Sequence, residues 1–188
     1  CSLFSVTVLI SSIQHAIRIG AYRLGADILV VPEAYESQAR TALISGEPTS
    51  FFMKASIIEK IRSIEGVKRV SPQLFLKPAP FKCCFDTNVF LVGFDPGTDF
   101  TITPWLEKQS RKPLSIYEIV AGRDVPIAVD DSIPFFGTLF KVAGKMEPTG
   151  MGFLDTSVFM SMEAAFKMAE DSKTKSLQPI DVPRDRIS

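Results

Sequence analysis

A single histidine in 188 residues is the first feature that narrows what this chain can do. General acid–base and nucleophilic sites draw on histidine more than on any other side chain, and zinc sites draw on clusters of histidine and cysteine. With one His and three Cys the usual catalytic kit is nearly absent, and no spacing of carboxylates points to a site built without it. Net charge is missing as well. The 21 Lys and Arg balance the 21 Asp and Glu, and their order contains no basic stripe or polybasic cluster, which argues against nucleic acid as a partner. There is no GxxxxGK[ST] phosphate loop. The odd cysteine count does not suit a disulfide framework. No uninterrupted apolar stretch reaches the roughly 20 residues of a complete membrane span.

What is present is enough to build a core. Hydrophobic residues make up 46% of the chain and charged residues 22%, with 15 Phe and 13 Pro. That is a globular composition, of a length for one large domain or two small ones. The opening CSLFSVTVLISSIQHAIRIGAYRLG does not begin with Met and carries no formal charge from Cys1 to Ile17. It lacks the basic region and cleavage site of a signal peptide. Ile10, Ile13, Ile17, Ala21 and Leu24 fall on one helical stripe, with Arg18 and Arg23 towards its C-terminal end and Gly25 suited to a left-handed stop. Two readings of residues 1–24 stay open: an amphipathic helix packed on a core, or the outer end of a transmembrane helix entering an extracytoplasmic domain. His15 reads as an interfacial polar residue.

The rest of the chain predicts an α+β fold. ADILVVP after Gly25 is a short apolar run expected to be a strand covered on both faces. SIIEKIRSIEG is expected to be a helix with a Ser56/Glu59 capping box, an apolar face of Ile57, Ile58, Ile61 and Ile64, and a stop at Gly66. VKRVSPQLFL reads as a strand interrupted by Pro72. Residues 25–76 therefore predict a β-α-β unit with a right-handed crossover between parallel strands. Residues 77–150 predict a β-rich insert containing NVFLVGF, YEIVAG and TLFKVAGKM, with a hairpin turning near Gly137. Residues 151–188 repeat the first unit: strand Ser157–Met160, then a helix capped by Ser161 with Met162, Ala165, Phe166 and Ala169 on its apolar face. A returning strand is expected to start at Ile187 and Ser188 and to be truncated there.

No residue is assigned to catalysis, cofactor binding or metal binding. In a strand, adjacent Cys83 and Cys84 would point to opposite faces, and neighbours lie too close for a relaxed disulfide; buried small hydrophobes are the preferred reading, a redox-labile pair the other. Asp95 and Asp99 in DPGTD, like Asp130 and Asp131, read as turn formers. TGMGFLD offers Met151 and Phe153 as a possible interaction tip, or as a loop whose apolar groups fold back beneath it. Trp105, the only tryptophan, reads as a buried anchor or an exposed partner contact.

Five blocks in order, GADILVVPE, SGEPTSFFM, GVKRVSPQLFL, VGFDPGTDFTITPWL and TGMGFLDTSVFMSMEAA, resemble the extracytoplasmic domain of ABC-transporter permeases of the FtsX-like, MacB-like class, over roughly residues 12–172. The resemblance implies a porter-like α/β body carrying the β-rich insert, set between the first two transmembrane helices of a four-helix permease in the cell (inner) membrane. It also implies partners: a cytoplasmic ATPase subunit, a second permease copy or a sibling, and the membrane itself. The implied role is mechanotransmission without a cofactor. Two other classes compete. One is a soluble hydrolase using carboxylates such as Asp95 and Asp99. The other is a lipid-anchored binding module acylated at Cys1.

Overall fold

The computed structural model describes residues 6–8, 10, 25–35, 51–81, 87–106, 113–176 and 178–188. It is an α+β fold. Strand β1 (Met53–Lys54) and helix α1 (Ile57–Arg62) precede β2 (Gln73–Phe81), β3 (Thr87–Phe94), β4 (Glu118–Ala121), β5 (Ser132–Phe135) and β6 (Thr138–Lys145); α2 (Gly152–Asp155), β7 (Ser157–Ser161), α3 (Met162–Lys175) and β8 (Arg186–Ile187) follow. Six strands form one sheet in the order β2-β3-β7-β4-β6-β5. The β3–β7 and β4–β6 pairs are parallel and the others antiparallel. The sheet thus joins strands from the 77–150 stretch to β7, which lies between β3 and β4.

Each face of the sheet has its own core. Leu74, Leu91, Ile119, Phe140, Val142, Val158 and Met160 meet the buried Ala164, Ala165, Met168 and Ala169 of α3 on one side. On the other, Val92, Phe94, Val120 and Phe159 pack with Ile102, Leu106 and Met146. This explains why SVFM in β7 is a continuous apolar run whereas β6 alternates. The first is covered on both faces, and the second on one along most of its length. Small residues set the approach of helix to sheet: a Cβ on Gly93 would lie 3.2 Å from that of Ala165.

The strand and the Ser161-capped helix of residues 151–188 form as the sequence predicts, but the buried apolar face of α3 is Ala164, Ala165, Met168 and Ala169, and the expected Met162 and Phe166 are only partly buried. The Ser161 side chain accepts the Ala164 N–H at 3.1 Å and starts α3. The β5–β6 hairpin turns through Phe136 and Gly137, both with positive φ (48° and 83°), the combination of a type I′ turn. Beyond α3, the buried Ser172 hydroxyl donates to the Ala169 carbonyl at 2.7 Å and accepts the Ile180 N–H at 3.0 Å, folding the tail back onto the core. The tail then forms β8, antiparallel to β1. The Ser188 N–H donates to the Gln73 carbonyl at 2.8 Å, so this short pair abuts the β2 edge of the larger sheet.

Along α3, Lys175 and Lys167 reach the carboxylate of the largely buried Asp171 at 2.8 and 3.0 Å and hold it below its usual 3.8. The Asp171 partner raises Lys167 above 10.5. A carboxyl whose pKa falls on folding stabilises the fold above its unfolded value and loses that contribution as pH falls through its folded value. Asp171→Asn is therefore expected to melt below wild type at neutral pH, with the gap closing as pH drops well under 3.8. Thermal melts across that range check it.

The first third departs from expectation. Residues 26–31 form no strand, and Ile28, Leu29 and Val30 are 75%, 57% and 39% exposed. No described residue pairs with them, and a strand exists only through its partners. No parallel β-α-β unit results, because β1 pairs antiparallel with β8 and β2 antiparallel with β3. The capping box is absent. Ser56 sits at φ −59°, ψ −15°, in the helical region rather than the extended one a cap requires, and the Glu59 carboxylate accepts instead from Arg62 at 2.7 Å. Helix α1 is six residues long and buries none of them. Pro72 precedes β2 rather than interrupting it. The prolines inside β2 are Pro78 and Pro80, tolerated on an edge strand beside the irregularity between Leu76 and Ala79. Gly25 and Gly66 do adopt positive φ. Of the opening stripe only Ile10 is described, in a helical stretch that also exposes Val6 and Val8. Cys1, His15, Arg18, Arg23, Cys83 and Cys84 lie outside the described residues.

Candidate interaction surface

Loop 149–155 is built around one buried carboxylate. Asp155, 6% exposed, accepts the Thr149 N–H at 2.9 Å and the Thr149 hydroxyl at 3.0 Å on one oxygen, and the Gly150 N–H at 3.1 Å on the other. The Met151 N–H donates to the Thr149 hydroxyl at 2.9 Å, and the Asp155 N–H to the Met151 carbonyl at 3.1 Å. The loop is thereby tied at both ends to itself. It is also tied to the sheet, because the Asp155 carbonyl accepts the Asp124 N–H at 2.8 Å and the Gly122 N–H donates to the Ser157 carbonyl at 2.7 Å. The contact at Gly122 leaves no room for a side chain. A Cβ there would sit 2.4 Å from the Asp155 carbonyl oxygen and 2.5 Å from that of Leu154.

The two apolar residues of this loop part company. Met151 stands 47% exposed at the tip. Phe153 turns inward, its ring centroid 5.8 Å from Phe75 and 5.7 Å from Phe90 in tilted contacts, favourable geometries for aromatic pairs. Trp105 joins the same face of the sheet. It closes the 3-10 turn Thr103–Trp105, packs half-buried against the second core, and its carbonyl accepts the Glu147 N–H at 2.8 Å. Of the three residues singled out by sequence, one is therefore exposed and two are half-buried packing residues. Asp155, Gly122, Phe75 and Phe90, which build the loop's seat, were not singled out. The TG…D spacing held the signal for Asp155, since a short side-chain carboxylate readily caps nearby N–H groups.

The carboxylates of DPGTD serve their own turns. Asp95 accepts the Gly97 N–H at 3.0 Å and the Thr98 hydroxyl at 2.8 Å. Asp99, 6% exposed, accepts from the Thr101 N–H and hydroxyl and the Ser71 hydroxyl on one oxygen, and from the Ile102 and Thr103 N–H groups at 3.0 and 2.6 Å on the other. This caps the turn carrying Trp105. Asp130 has φ 72° and pairs with Lys141 at 2.7 Å, raising that ammonium above its ordinary 10.5. Asp131 accepts the Ala128 N–H at 2.8 Å. Both belong to the turn before β5, as the sequence suggests.

Among the described residues no group of three or more His, Cys, Asp or Glu is placed to hold a metal ion, and no helix is long and apolar enough to cross a membrane. The geometry defines an α+β domain with a preorganised, apolar-tipped loop. No protein-family model matches the chain, and no curated protein matches it.

Proposed function

We propose that this chain is the extracytoplasmic domain of a transporter permease, coupling ATP hydrolysis by a separate cytoplasmic subunit to movement outside the membrane. The observation that carries the reading is where apolar surface lies. Among the described residues of the first thirty, Val6, Val8, Ile10, Ile28, Leu29 and Val30 are exposed large hydrophobics, the first three within a stretch with no formal charge from Cys1 to Ile17. The remainder is a body with a core on each face of its sheet. An apolar end on a self-sufficient body suits a domain joined to a bilayer. The ordered sequence blocks supply the class, and Met151 on its tied loop supplies a contact point for a second copy or an outer partner. The hydrolase reading is disfavoured because Asp95 and Asp99 spend their lone pairs on turn donors.

The test is purification of the intact polypeptide from membranes in mild detergent. The expected result is co-purification of an ATPase subunit bearing a phosphate loop, with vanadate-sensitive ATP hydrolysis. Recovery of the polypeptide from the soluble fraction, without an associated ATPase, overturns the proposal.

A further inference from the structure

All six methionines of the chain lie among the described residues, and the fold sorts them by access. Met146, Met160 and Met168 are fully buried in the two cores. Met162 packs partly buried against the first core, and Met53 is partly buried in β1, paired with Ile187 of β8. Met151 alone of the six is exposed, at 47%, and it belongs to neither core. We propose that Met151 is an oxidation site, at which hydrogen peroxide converts the thioether to a sulfoxide and turns the loop tip from apolar to polar while the fold stays intact. The chemistry stands apart from the permease reading and touches it only because the altered residue is the contact point proposed there.

Access decides which thioether reacts. A sulfur lone pair attacks one peroxide oxygen, an S–O bond forms and the O–O bond breaks. The departing hydroxide takes up the proton of the transferred oxygen and leaves as water. Sulfur is oxidised and peroxide reduced by the same electron pair. A buried sulfur meets the oxidant only when its surroundings open, whereas Met151 requires no opening. Retention of the fold follows from how the loop is held. The Met151 N–H donates to the Thr149 hydroxyl at 2.9 Å, and its carbonyl accepts the Asp155 N–H at 3.1 Å. The Asp155 carboxylate takes the Thr149 and Gly150 N–H groups, and Phe153 supplies the ring contacts to Phe75 and Phe90. None of these interactions uses the Met151 side chain, so an added oxygen displaces none of them. The same change at Met160 or Met168 would set a polar sulfoxide inside a core, where a group without a hydrogen-bond partner is costly.

The experiment treats the whole chain with dilute hydrogen peroxide and follows each methionine by peptide mass spectrometry, once in the native state and once in concentrated urea. In the native state Met151 is expected to gain oxygen at least about tenfold faster than Met146, Met160 and Met168. In urea the six rates are expected to converge, which separates shielding by the fold from intrinsic reactivity. Met151→Gln puts a polar group at the tip without oxidising the cysteines, and its thermal melt is expected to match wild type. Met151→Leu is expected to remove the fast phase and leave the other rates unchanged. Native rates at Met53 or Met162 equal to that at Met151 overturn the inference, as does a Met151 rate as slow as those of the core methionines. A large loss of stability in Met151→Gln overturns the claim that the fold is indifferent to a polar tip. None of these results bears on whether an ATPase subunit co-purifies, so the permease reading is tested separately.

Discussion

Gly122→Ala is expected to destabilise the protein by about 3 kcal/mol, the upper end of overpacking costs. The added Cβ would lie 2.4 and 2.5 Å from two carbonyl oxygens of the 149–155 loop. Both are backbone atoms, so no side chain can swing aside to relieve the contact. The loop must lift, and lifting it breaks the Asp124 N–H bond to the Asp155 carbonyl and strains the Gly122 N–H bond to the Ser157 carbonyl. Gly152→Ala is the matched control. It lies in the same loop with nothing within 4 Å of its Cβ, and its effect is expected to stay within about 1 kcal/mol, the scale of a glycine-to-alanine helix preference. Urea denaturation of the three proteins reads the difference, and limited proteolysis near Met151 reports whether the loop has opened.

Asp99→Ala is expected to cost about 3 kcal/mol, because a buried acceptor is lost while several donors stay behind. Three backbone N–H groups, of Thr101, Ile102 and Thr103, point at that carboxylate together with the hydroxyls of Ser71 and Thr101. Their turn carries Trp105 into the second core, so the variant is expected to shift tryptophan emission to the red. Asp95→Ala, which frees one N–H and one hydroxyl, is expected to cost about 1 kcal/mol. A large loss at Asp95 with little at Asp99 contradicts the assignment of roles. Any turnover abolished by either change without loss of stability revives the hydrolase reading.

The sheet was legible where local and tertiary signals agree. TSVFMSMEAAF declares its strand by apolar continuity, its cap by Ser161 and its helix by spacing, and the structure keeps all three. PFFG declares a turn because Gly137 tolerates positive φ, even though Phe136 beside it must adopt φ 48°. ADILVV was illegible for the opposite reason. Its composition specifies a strand, but pairing is a property of partners, and no described residue supplies one. The capping box failed on backbone geometry. Ser and Glu three residues apart satisfy the sequence rule, yet Ser56 enters the helix already in helical φ/ψ. At the candidate surface, spacing identified Met151 but could not separate it from Phe153. The separation depends on Phe75 and Phe90, more than sixty residues earlier in the chain, offering rings on the same face.

The proposal under test is that this domain moves with nucleotide state at a separate ATPase subunit. The direct measurement is the distance between spin labels at Leu139→Cys on two copies of the intact protein in membranes, together with the proposed ATPase subunit. Leu139 is exposed on β6, opposite the α3-packed face and outside the loop networks described above. The account predicts two different distance distributions, one without nucleotide and one with ATP and vanadate. A single distribution unchanged by nucleotide, or no dipolar coupling between copies in either state, contradicts it.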